Sequence, residues 1–99
     1  MVILDRKSVF ENVAAGAFGR RAHAVAKEEV GDACRAALMH EFVRDLPNGY
    51  DTLLRGGTGS VGLSGGQKQR LAIARAWLRN PSVLILGMTF LFYQLFLSY

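Results

Sequence analysis

Ser64, Gly65 and Gly66 stand at the mouth of a stretch rich in helix formers, Gln67 to Arg79, and that placement has chemistry in it. A helix start leaves backbone N–H groups without partners and carries the positive end of the helix dipole, so it attracts anions. Ser64 can cap the helix and still offer a hydroxyl, while Gly65 and Gly66 have no Cβ to hold a phosphate away. Phosphate is the natural guest, set against the plainer reading that Ser64 only caps the helix and the glycines only turn the chain. Six of the eleven glycines fall between Arg55 and Gly66, in RGGTGSVGLSGG, which reads as a loop.

Other chemistries are excluded by the residues at hand. Gly57, Gly59 and Gly62 have the G-x-G-x-x-G spacing of dinucleotide sites, but the apolar segment that precedes them is only Leu53 and Leu54. The acidic residue such a site needs for the ribose is missing, because no carboxylate occurs after Asp51. A G-x-x-x-x-G-K-[ST] phosphate loop is absent, since Lys68 follows Gln67. Cys34 is the single cysteine; with only His23 and His40 beside it, neither a disulfide nor a zinc site can be built. A reducing compartment fits, and the apolar stretch in Met1 to Phe10 is too short for a secretion signal.

The elements that must position the loop follow from patterning. Ser8 and Glu11 have capping-box spacing, which predicts a short helix over Val9 to Ala15. After a loop at Gly16, Gly19, Arg20 and Arg21, a second helix begins at Ala24 or Lys27 and repeats Val30, Ala33, Cys34, Ala37 and Leu38. Phe42, Val43 and Leu46 extend its apolar face past His40 until Pro47, Asn48 and Gly49 end it, giving a helical hairpin. In the helix after the glycines, Leu71, Ile73, Ala74 and Leu78 share one side, with Lys68, Arg70, Arg75 and Arg79 more exposed. Val83 to Leu86 then reads as a strand buried on both faces.

Ninety-nine residues, 51% apolar and 20% charged, make one small collapsing unit, neither a disordered tail nor a two-domain enzyme. The net charge of +4 hides a split: residues 52–99 carry Arg55, Lys68, Arg70, Arg75 and Arg79 and no carboxylate. This basic half is the only argument for nucleic-acid binding, and nucleic acid is not an expected partner.

Leu63 to Gln67 spell LSGGQ, and KQRLAIARAWLRNPSVLIL follows; together they resemble the signature region of ABC-transporter nucleotide-binding domains. SVFENVAAG, HEFVRDLP and NGYDTLL, in that order, resemble the helical subdomain of the exporter or multidrug-resistance type. The resemblance covers residues 1–86. It implies a mainly α fragment of an α/β P-loop NTPase domain: helical subdomain, signature helix and one orphan β-strand. In that family ATP and Mg²⁺ are the cofactors. The partners are a second nucleotide-binding domain and a transmembrane domain, and the place is the cytosolic face of a membrane. The resemblance assigns Ser64, Gly65, Gly66 and Gln67 to ATP held by the partner domain: Ser64 on the γ-phosphate, Gly65 and Gly66 through their N–H groups, Gln67 near the ribose. Phe10, Phe42 and Tyr50 are candidates for the face turned to the membrane domain.

Departures from the family pattern bound the activity. The glutamine loop that should lie just before Val2 is missing, as is the later switch histidine. Gly87 and Met88 stand where the family has an Asp for Mg²⁺ and a Glu for water, and neither replaces a carboxylate. The expectation is a truncated domain that does not hydrolyse ATP alone, is marginally stable and aggregates; the alternative is an interaction module that docks on an intact transporter. Residues 87–99, GMTFLFYQLFLSY, are unlike the rest. They fit an intron or frame shift in the gene model. Two alternatives stay open: a membrane segment, since Pro81 to Tyr99 would span roughly 28 Å as helix, and a hydrophobic contact with another chain.

Overall fold

A computed structural model describes residues 3–17, 24–55 and 61–79. The predicted strand Val83 to Leu86 and the aromatic tail lie outside the described residues. Four helices and a small sheet make up the rest: β1 (Lys7–Ser8), α1 (Val9–Ala14), α2 (Lys27–Ala36), α3 (His40–Arg44), a 3-10 turn (Gly49–Asp51), β2 (Leu53–Leu54) and α4 (Gly65–Arg79).

Local rules account for the starts of α1 and α4. Ser8 Oγ accepts from the Glu11 N–H at 3.0 Å and Glu11 Oε1 accepts from the Ser8 N–H at 3.1 Å, the reciprocal pair read from the spacing. The same device starts α4: Ser64 Oγ accepts from the Gln67 N–H at 3.2 Å, and Gln67 Oε1 from the Ser64 N–H at 2.8 Å. Helix α4 therefore begins at Gly65, two residues before the predicted start, and Gly65 and Gly66 belong to its first turn, not to the loop. The cap satisfies N–H groups that glycine's low helix propensity alone would leave to water.

The long second helix is also corrected. It breaks into α2 and α3 at Leu38, whose φ of 57° lies in the left-handed region. The Leu38 N–H donates to the Arg35 carbonyl at 3.1 Å and the Met39 N–H to the Cys34 carbonyl at 2.7 Å, the Schellman arrangement that closes a helix. Met39 and Cys34, the two ends of that closure, are both buried. Leucine at the left-handed position costs about 1–2 kcal/mol, and Leu38 is 46% exposed, so it recovers only part of that through burial. Leu38→Gly is expected to stabilise the chain by about 0.5–1 kcal/mol, read as a higher denaturant midpoint at unchanged m-value.

Helix α4 packs on α2 and on α1. It contributes Leu71 and Ala74 to a core that takes Val9 and Val13 from α1 and Val30 and Ala33 from α2. Strands β1 and β2 pair antiparallel, Lys7 opposite Leu54 and Ser8 opposite Leu53. Val61 adds a parallel bridge to Leu54, its N–H donating to the Leu53 carbonyl at 2.9 Å. This pairing ties the chain just before α4 to the segment that opens α1.

Candidate phosphate site at the mouth of the signature helix

Ser64, Gly65 and Gly66 are exposed, and Gln67 is half-buried. The Gln67 and Lys68 N–H groups are taken up by Ser64, through Oγ and through its carbonyl at 2.9 Å. The Gly65 and Gly66 N–H groups find no acceptor among the described residues. Ser64 Oγ accepts the Gln67 N–H and keeps its own proton to donate. Three donors thus stand exposed at the positive end of a 15-residue helix. The first turns of α1 and α2 carry Glu11 and Glu28 with Glu29, whereas the first turn of α4 carries no acid.

The glycines have no internal reason to be glycines. Neither has a positive φ, and a Cβ built on either would meet nothing within 4 Å. Alanine in a helix is favoured over glycine by about 1 kcal/mol per residue, so the chain forgoes about 2 kcal/mol to keep this surface bare. A body from outside is what bare backbone N–H groups accommodate. Gln67 is turned toward Ser64, which it orients, so its Oε1 is committed within the chain.

Elsewhere the geometry is less open to chemistry. Phe10 and Tyr50, with Lys27 and Asp51, line a depression of about 250 Å³, so two of the three aromatics proposed for an interface share one concavity. Phe42 packs on the core. His40 Nδ1 lies 2.8 Å from the Tyr50 hydroxyl, with the two rings stacked at 5.9 Å between centroids. Burial pushes the Cys34 thiol up to about 11, against a smaller lowering by its hydrogen bond to Tyr50, so it is a protonated core residue and not a nucleophile. Among the described residues no three His, Cys, Asp or Glu side chains come together to hold a metal.

Two residues outside the predicted site join its helix to α1. Asn12 is 0% exposed. Arg75, expected on the exposed side of its helix, is half-buried and reaches Asn12: its Nε–H donates to the Asn12 carbonyl at 2.7 Å and its Nη2–H to Asn12 Oδ1 at 3.0 Å. Desolvation by that burial lowers the guanidinium pKa. The available signal was an asparagine, a weak helix former, set on the apolar face that Val9 and Val13 form in α1.

A family model described as ABC transporter matches residues 1–87. The chain belongs to the ABC transporter family. It is 53% identical over 83 residues to the leptomycin B resistance protein of Schizosaccharomyces pombe, covering 84% of this chain and 6% of that one. It is 46% identical over 85 residues to the ATP-dependent lipid A-core flippase of Acinetobacter baylyi, covering 86% of this chain and 14% of the flippase. A bacterial Atm1-family ABC exporter solved with ATP bound aligns at a TM-score of 0.62 and 38% identity, over 79% of this chain and 12% of the exporter chain. This ABC transporter chain thus spans a small part of its relatives' length, and its helices match part of an ABC ATPase domain. Among its described residues no helix is long and apolar enough to cross a membrane.

Proposed function

We propose that this chain is the signature-bearing part of an ABC-transporter ATP-binding domain, in which Ser64, Gly65 and Gly66 grip the terminal phosphate of ATP held by a second nucleotide-binding domain. The observation that carries this reading is the pair of exposed glycines in the first turn of α4, beside the Ser64 hydroxyl, whose N–H groups have no acceptor among the described residues and where a Cβ would meet nothing within 4 Å. Gln67 holds Ser64 in its capping geometry and borders the same ligand on its ribose side. Donors already placed at a helix start whose first turn carries no acid need little rearrangement on binding an anion. The complete transporter sits with this domain on the cytosolic face, next to its transmembrane domain.

Mg²⁺ does not fit this part of the chain. A hard cation takes oxygen ligands, chiefly carboxylates, and the sequence has none after Asp51; Gly87 and Met88 supply no such oxygen. The chain's share of the work is therefore to bind and orient phosphate, and by itself it does not hydrolyse ATP.

The test is association of the 99-residue chain, fluorescently labelled, with an intact exporter-type nucleotide-binding domain. Binding is expected only with Mg²⁺-ATP on the partner, and Ser64→Ala is expected to weaken it about tenfold, the worth of one charge-assisted hydrogen bond. Titration of the chain alone with ATP should not saturate. Turnover of ATP by the isolated chain would overturn the proposal, and binding indifferent to nucleotide would mark a docking module instead.

A further inference from the structure

We infer that Arg75 and Asn12 form a clasp that aims the signature loop, making Arg75 a positioning residue for Ser64, Gly65 and Gly66; this rests on the phosphate reading above. Helix α4 is a 15-residue rod with Ser64 at its tip. Near its far end it is held twice at one residue. The Arg75 side chain grips Asn12 through two hydrogen bonds, at 2.7 and 3.0 Å, and the planar guanidinium fork constrains orientation as well as distance. On the backbone side, Gly16 lets α4 come so close that a Cβ there would sit 2.7 Å from the Arg75 Cα.

Asn12 is itself immobilised. Its Oδ1 accepts from the Leu4 N–H at 2.8 Å, and its Nδ2 donates to the Ser8 carbonyl at 3.0 Å and the Leu4 carbonyl at 3.2 Å. The clasp therefore fixes α4 to a rigid α1 and to the segment before it. Ser64 lies eleven residues ahead of Arg75, about 16 Å along the helix axis at 1.5 Å per residue. A tilt of about 4° at the clasp displaces Ser64 by about 1 Å, enough to take a hydrogen bond to phosphate out of its working range. Packing by Leu71 and Ala74 is non-directional and tolerates such a tilt; the two-point grip does not.

The decisive variant is Arg75→Lys, which keeps charge and aliphatic stem but loses the fork. In the association assay it is expected to weaken ATP-dependent binding about fivefold in the chain with Ser64, and only about twofold in the Ser64→Ala chain, where the Gly65 and Gly66 N–H groups alone remain to be aimed, a non-additivity diagnostic of coupling. Equal weakening in both backgrounds would show a merely structural role and overturn the clasp. Residual dipolar couplings on the 99-residue chain supply a second readout: the angle between α1 and α4 should change by a few degrees in Arg75→Lys, with α2 and α3 unmoved. An unchanged angle would likewise overturn it. Arg75→Gln, with a planar head and one donor group, serves the same comparisons if lysine is not accommodated. Should the wild-type chain fail to bind ATP-loaded partner, the phosphate reading falls, and the helix angle alone then decides whether the clasp exists.

Discussion

Asn12→Leu is expected to destabilise the chain by about 2–5 kcal/mol, although leucine is close to asparagine in volume and more hydrophobic. The Asn12 carboxamide, fully buried, serves the Leu4 N–H, the Leu4, Lys7 and Ser8 carbonyls, and the Arg75 guanidinium. Leucine satisfies none of them. Each buried backbone group left without a partner costs about 1–3 kcal/mol, and a charged partner costs more. Losing even two such groups and half of the Arg75 grip amounts to about 3–6 kcal/mol, against which burying a few more apolar atoms returns about 1 kcal/mol. A domain of this size holds about 5–15 kcal/mol in total. The melting temperature should therefore fall by about 10–30 °C, read by circular dichroism. A fall of less than about 5 °C would mean that water replaces the carboxamide and that its hydrogen bonds do not hold the fold.

Gly16→Ala sets two opposed effects against each other, and the steric one is expected to win. Alanine narrows the unfolded ensemble, which favours folding by about 0.4–1 kcal/mol where the native backbone admits it. Gly16 has no positive φ to forbid alanine. The obstacle is α4: the new Cβ would stand 2.7 Å from the Arg75 Cα and 2.8 Å from its carbonyl carbon, both backbone atoms that no rotamer change can move. Close-packed interiors resist such insertion, at about 1–3 kcal/mol. A net loss of about 1–2 kcal/mol is expected, measured as a lower urea midpoint. Because the strain falls on the residue that grips Asn12, the same variant should weaken ATP-dependent association with a partner domain. Gain of stability would show that α1 and α4 are free to part.

How much of this was legible beforehand depended on whether the governing interaction was local. The start of α1 could be read because its reciprocal bonds span three residues, Ser8 to Glu11, and their chemistry is written in the residue types. Ser64 was legible as the cap of α4 for the same reason, and the resemblance of that stretch to the ABC signature named the family that the comparisons then showed. The break between α2 and α3 was hidden, because a helix normally stops at glycine and here a leucine accepts the left-handed conformation. What permits it is the burial of Met39 and Cys34 just beneath, a tertiary fact. Strands β1 and β2 were hidden because two residues apiece carry no period, and only their mutual hydrogen bonds define them.

The chain's own order of residues determined which groups stand at the mouth of α4: a hydroxyl and two N–H groups follow from Ser64, Gly65 and Gly66 wherever a helix begins there. The tertiary structure alone decided how that helix is held. Arg75 lies seven residues, close to two turns, beyond Lys68 and looks in the sequence like another solvated cation, yet it ends against Asn12, 63 positions away. Short-range bonds can be read from spacing because the intervening backbone has few conformations. A contact across 63 residues exists only after α1, α2 and α4 have packed.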